Sequence, residues 1–185
     1  VTAWRVPVAL AALALAGCTS TVDGAASAAA VSVGGTRVAD YAAGQQHRTT
    51  SVDYAESPPV GGPHDPQWAD CTGTVYAVVI RPENAVHSLE HGAVWVTYDP
   101  DVASAEDVAT LTELVEGRSG LFLSPYPDQA AAVSVQAWNH QLRTASAADP
   151  RIGQFADLLT YNPETTPEPG ATCENPGFAA DPPTS

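Results

Sequence analysis

The chain has 185 residues and carries 7 basic against 21 acidic side chains, a formal net charge of −14. A surface this acidic excludes charge-driven binding to nucleic acid or anionic headgroups and favours the gathering of cations. The length suits one domain plus a tail, and the absence of methionine removes thioether ligands from any metal chemistry.

In chain order, "VTAWRVPVALAALALAGC" sets Arg5 before an apolar run and small residues before Cys18. That is the layout of a secretory signal peptide over 1–17, too short to span a bilayer as a helix. Cys18 is then the lipidated first residue of an exported lipoprotein, and the expected location is the outer face of the cell membrane. Residues 18–46, rich in Ala, Ser, Thr and Gly, read as a flexible tether. A single domain is expected over 47–177, with a disordered tail over 178–185. With Cys18 lipidated, Cys71 and Cys173 remain, and an oxidising compartment predicts a disulfide between them. No CxxC pair occurs, so nothing points to dithiol redox chemistry.

Within the domain, "TVYAVVI" (Thr74 to Ile80) and "AVWVTY" (Ala93 to Tyr98) read as strands, the second apolar on both faces and therefore central. Ser104 to Gly117 reads as a helix. Ser104 caps it, Asp107 completes the capping box, and Val108, Leu111, Leu114 and Val115 form one apolar stripe. "LFLS" and "AVSVQAW" read as further strands separated by a "PYPD" turn. Arg151 to Tyr161 is a second helix with Ile152, Phe155, Leu158 and Leu159 inward. The proline-rich "NPETTPEPGATCENPGFAADPPTS" reads as coil pinned at Cys173. The expected class is α+β: a mixed sheet of about four or more strands with two helices packed on it. Thioredoxin-like and ferredoxin-like arrangements both fit this element order.

Candidate chemistry lies in the histidines, His47, His64, His87, His91 and His140. His64 sits in "SPPVGGPHDP", a loop stiffened by prolines, with Gly61 and Gly62 free to take unusual backbone angles. In "RPENAVHSLEHG", Pro82 suits a first helical turn and Gly92 a left-handed stop, which sets His87 and His91 on one face about a turn apart, flanked by Glu90. Imidazoles at that spacing can chelate one ion and are neutral near pH 7. The expected ligands are His64, His87 and His91, with His47 as a fourth and Glu90 as ligand or orienting group; copper or zinc suits such a set. H-x-x-E-H is also an inverted metalloprotease motif. That reading needs a third ligand on a downstream helix, and Glu164 and Glu168 lie among prolines. The structural alternative has the histidines donating to backbone carbonyls and Glu90 pairing with Arg81.

"VDYAESPPVGGPHD", "VHSLEHGAVWVTYDP", "SPYPD…VSVQAWNHQL" and "NPETTPEPGATCENPG", in this order, resemble a family of bacterial envelope proteins catalogued as domain of unknown function 3105. The resemblance spans about His47 to Gly177. It implies that the His64 loop and the His87/Glu90/His91 turn are family features and that His47 matches a histidine commonly placed before the "VDY" segment. It brings no activity with it.

The resulting expectation is a surface-anchored lipoprotein that binds copper or zinc for capture, buffering or delivery. The alternative is a non-catalytic envelope module for a partner protein or cell-wall ligand. Trp68, Trp95, Trp138, Tyr76 and Tyr126 would supply its contacts, although Trp95 and Trp138 read as core. No nucleophile elbow, phosphate loop or triad spacing speaks for an enzyme. An acid–base pair of Glu90 or Asp65 with a histidine is the weakest reading.

Overall fold

The computed structural model describes Val1 and residues 30–184; the rest of the predicted signal peptide, Cys18 and the first part of the tether lie outside the described residues. The chain forms β1 (Ser32–Val33), β2 (Thr36–Arg37), β3 (Ala39–Asp40), β4 (Thr74–Val75), α1 (Pro82–Glu90) and β5 (Val94–Tyr98). It continues with α2 (Ala105–Val115), β6 (Leu121–Pro125), β7 (Val133–Ala137), β8 (His140–Thr144), α3 (Arg151–Leu159) and α4 (Pro176–Ala180). Six strands make one mixed sheet in the order β3-β8-β7-β5-β6-β4, while β1 and β2 form a separate hairpin. β6 pairs parallel with both β4 and β5, and β5, β7, β8 and β3 follow antiparallel. Three parallel neighbours are followed by an antiparallel hairpin and a closing helix, an α+β arrangement with a mixed sheet as expected.

Alternation along the central strands builds two cores, because neighbouring side chains of a strand point to opposite faces. Val94, Val96, Leu121, Leu123, Val133 and Val135 pack on one face against Leu111 and Val115 of α2 and Ile152, Phe155 and Leu159 of α3. Trp95 and Phe122 point the other way, against Ala85, Val86 and Leu89 of α1, with Tyr76, Phe178 and the Cys71–Cys173 disulfide. The predicted central strand is β5, and α2 carries the predicted capping box between Ser104 and Asp107. Leu158 is exposed and turns away from the core.

Several segments depart from expectation. The predicted tether is ordered from Ser32 to Asp40: Val33 and Val38 are buried, and β3 pairs with β8. The predicted strand over Thr74 to Ile80 keeps ladder pairing only at Thr74 and Val75. Beyond them the chain turns at Tyr76, whose hydroxyl donates to the Asp70 carbonyl at 2.9 Å and whose ring packs edge-on against Phe122 and Phe178. The last residues are pinned rather than loose. Phe178 is buried, Asn175 N–H donates to Asp70 Oδ2 at 2.7 Å, and Ile80 bridges Thr184.

Cys71 and Cys173 are 102 residues apart in sequence, so their bond removes much of the freedom of the unfolded chain. Replacing both with alanine should lower unfolding free energy by about 3–5 kcal/mol in urea titration, relative to the oxidised parent.

Candidate metal centre

The site is assembled around the last turn of α1. Pro82 opens the helix, where a missing N–H leaves no bond unmade. Gly92 closes it at φ +93°, its N–H donating to the Leu89 carbonyl and that of Ala93 to the Ser88 carbonyl, both at 3.0 Å. This is the paired closure of a Schellman turn, which suits glycine because a side chain is strained at that φ. His87 and His91, four residues apart, hold their ring centroids 4.6 Å from each other.

The loop that brings His64 is laced along the same helix. Asp65 N–H donates to the Glu83 carbonyl at 3.3 Å, Ala69 N–H to the Asn84 carbonyl at 3.1 Å, and Ser88 Oγ to the Ala69 carbonyl at 2.7 Å. Tyr54 Oη donates to the Pro63 carbonyl at 2.7 Å. His64 N–H donates to the Gln46 carbonyl and Arg48 N–H to the His64 carbonyl, which sets His47 alongside His64. Four imidazoles and Glu90 thus meet from three stretches of chain. The His47, His64 and His87 centroids are mutually 4.9–5.0 Å apart.

Each buried ring is held by one nitrogen. Nδ1 of His64 lies 2.8 Å from the Gly62 carbonyl, Nδ1 of His87 2.7 Å from the Asp65 carbonyl, and Nδ1 of His91 2.8 Å from the Thr172 carbonyl. A carbonyl oxygen only accepts, so each Nδ1 carries the proton and donates it. In the neutral ring Nε2 is then a bare lone pair, the tautomer and orientation that a metal ligand requires. The expected alternative, histidines bracing the backbone, is therefore also a description of how ligands are aimed.

Nε2 of His64 lies 2.9 Å from Glu90 Oε2, yet the contact lacks hydrogen-bond geometry and this nitrogen, fully buried, has no hydrogen-bond partner. A bare nitrogen this close to a carboxylate oxygen, with no hydrogen bond between them, is repulsive in a site of low dielectric unless positive charge lies nearby. Glu90 is itself buried, its side chain 4% exposed, and His47 Nε2 stands 3.9 Å from the same oxygen. Arg81, the expected partner of Glu90, instead pairs with Asp65 at 3.1 Å and Glu83 at 3.5 Å. Asp65 is thereby paired through one oxygen, while its other accepts the Gln67 N–H at 2.9 Å.

One potential ligand atom from each of His47, His64, His87 and Glu90 falls within 4.8 Å of every other. A tetrahedral zinc with bonds of about 2.0–2.1 Å spaces its ligand atoms about 3.4 Å apart. Of the four, His47 is exposed and has the most room to move. His91, expected in the same group, faces a different acid: it combines with His87 and Glu168, its Nε2 3.7 Å from Glu168 Oε2. His140 lies apart, donating from Nδ1 to the Trp138 carbonyl beside Asp40.

Sequence reasoning missed Glu168 as a neighbour, set aside because of its prolines. Its N–H donates to the Glu90 carbonyl at 3.1 Å, which docks that segment onto the end of α1. Trp68, read only as a possible contact residue, walls the cluster. Its ring is 5.7 Å from His87 and 5.1 Å from His91, and its buried Nε1 has no hydrogen-bond partner. Trp138 meets His64 edge-on at 5.9 Å.

Burial, with smaller contributions from the neighbouring His91, His64 and His47, lowers the His87 pKa from 6.5 to about 4 against the opposing pull of the Asp65 carbonyl. Burial also lowers that of His91, against the Thr172 carbonyl and Glu168. Both rings stay neutral and ligand-competent in mildly acidic medium.

A family model described as "Protein of unknown function (DUF3105)" matches residues 45–175. No curated protein and no solved structure matches the chain.

Since His87 and His91 bind protons less readily folded than unfolded, stability of the metal-free protein is full above about pH 6.5. It falls as the pH drops through the His87 value of about 4. Thermal melts across this window should show the decline, and the slope should shrink in His87→Asn, where the amide keeps a donor near the Asp65 carbonyl.

Proposed function

The chain belongs to the DUF3105 family, whose description as a protein of unknown function carries no chemistry, and we propose from the site's own geometry that it binds a divalent transition ion on His47, His64, His87 and Glu90. The observation that carries this reading is the buried His64 Nε2, 2.9 Å from a buried carboxylate oxygen with no hydrogen bond to reconcile them. A dication between the two converts a repulsive contact into two attractive ones and satisfies both groups at once.

The donor set selects the ion. Three imidazoles and one carboxylate suit Zn²⁺ or Cu²⁺. Ca²⁺ and Mg²⁺ prefer oxygen ligands throughout. Cu⁺ prefers sulfur, and here the chain has no methionine while Cys71 and Cys173 are bonded to each other. Four protein donors fill a tetrahedral ion and leave no position for an activated water, which favours holding the ion over catalysis. The role is capture, buffering or delivery outside the membrane, on a chain exported by its N-terminal signal and anchored through Cys18. Both the anchor and the location rest on the sequence pattern alone. Among the described residues no helix is long and apolar enough to cross a membrane.

A second reading, an envelope module for a partner protein, draws on a shallow apolar groove lined by Val79, Pro82, Tyr126 and Pro127 beside exposed Val78. Elemental analysis and melting of untagged full-length protein separate the two. Under the ion-binding reading, one Zn²⁺ or Cu²⁺ is retained per chain, and ion at a hundred times Kd stabilises by about 2.7 kcal/mol. His140→Gln should leave this intact. A chain free of metal whose melting temperature ignores both ions supports the module instead.

Glu90→Gln gives a sharper test, because an amide N–H can donate to His64 Nε2. The variant should lose at least about tenfold in ion affinity. Its metal-free form should equal the parent in stability or exceed it by about 1 kcal/mol, the sign expected when an unmatched buried charge is removed.

A further inference from the structure

Beside the four-residue set lies a second group, His87, His91 and Glu168, whose ligand atoms also fall within 4.8 Å of one another. His87 belongs to both groups. It has one nitrogen to give, since its Nδ1–H is committed to the Asp65 carbonyl at 2.7 Å. Nε2 therefore serves one group or the other, never both. His91 is prepared in the same way, with its Nδ1–H on the Thr172 carbonyl and its Nε2 toward Glu168. Each group reaches solvent through one member: His47, 53% exposed, in the first, and Glu168, 51% exposed, in the second.

We infer that the cluster holds a single ion in either of two overlapping positions, an inner one on His47, His64, His87 and Glu90 and an outer one on His87, His91 and Glu168, and that the ion passes between them by exchanging partners about His87. This deepens the ion-binding reading and rests on it. In the exchange the bond to His87 Nε2 persists. Bonds to His47, His64 and Glu90 break as bonds to His91 Nε2 and Glu168 form. No electron moves, and no proton need move in the neutral site, because the buried imidazoles of both groups present bare Nε2 atoms and each group adds one carboxylate.

The two positions differ in grip. Four donors, with Glu90 buried, make the inner one the resting site. Three donors, with an acid half in water, make the outer one the place from which a competing ligand removes the ion. Stepwise transfer between preformed groups replaces the simultaneous loss of every ligand, so release is faster than the inner affinity alone would allow. Trp68, packed on both His87 and His91, lies against the shared ligand and reports its occupancy.

The experiment loads full-length protein with Cu²⁺, counts ions by titration, and follows release to EDTA through recovery of tryptophan fluorescence. The wild type should take one ion. Glu168→Gln, a surface change, and Glu168→Gln with His91→Asn, which keeps a donor for the Thr172 carbonyl, should still bind one ion. Both should release it more slowly, the double variant by about tenfold or more. In the opposite variant, His47→Ala with His64→Gln, one ion should remain, bound at least about tenfold more weakly. Its electron paramagnetic resonance should report two nitrogen donors where the wild type reports three. Two ions held at once by the wild type would overturn the shared-ligand scheme, as would parental release from the double variant. Failure of the wild type to bind Cu²⁺ at all sinks the ion-binding reading itself, and this inference with it.

Discussion

Three main-chain carbonyls, those of Gly62, Asp65 and Thr172, each take the Nδ1 proton of one buried imidazole. Everything about the site follows from these bonds. They settle which nitrogen is bare and hold each ring in place, His64 and His87 in the group with Glu90 and His91 in the group with Glu168. A histidine held by one weak contact would sample several rotamers and lose entropy on meeting an ion. A ring bonded to the rigid backbone has lost that entropy already, during folding. The same logic explains the residues around the carbonyls. Gly62 sits at φ +110°, a conformation that L side chains rarely adopt, and so directs its oxygen at His64.

The fold supplies the carbonyls from separate places and the sheet holds them in register. Trp95 and Phe122 of the central strands support α1 from beneath, so the last turn of that helix is a fixed platform. The Asp70 carboxylate ties the two flanks together. It accepts from the Thr72 and Thr74 hydroxyls and from the Asn175 amide. Burial raises its pKa, but these bonds outweigh burial and hold the carboxyl below its usual range. The disulfide locks the tail beside the same point. Against this well-satisfied scaffold, Glu90 facing His64 stands out as a local conflict, and such conflicts in an otherwise consistent structure are expected where function lies.

Much of this was legible in the residues. The spacing of Leu111 and Val115, the Ser104 cap and the apolar run of β5 each dictate one local structure, and those elements formed as read. His87 and Glu90 were legible because Pro82 and Gly92 bound a helix too short to put them anywhere but on its last two turns. Strand β8 was not, because His140, Gln141, Arg143 and Thr144 lack apolar alternation. They pair beside β3 and spend their polarity on bonds such as Gln141 Nε2 to the Pro58 carbonyl at 2.9 Å. The run after Val75 misled in the opposite sense, since β-branched residues there serve an edge that leaves the sheet. Glu168 was hidden for a different reason. Prolines forbid regular structure but not a fixed position, and a single backbone bond to Glu90 places that segment where no local pattern could reveal it.

The donors are spread from His47, ahead of the first parallel strand, to Glu168, near the cystine that closes the tail. No shorter fragment of the polypeptide contains them all. A ribosome-bound chain that has not yet reached Glu168 therefore lacks the assembled cluster, however many imidazoles it already displays. Bringing these side chains together is a late event of folding, not a local one.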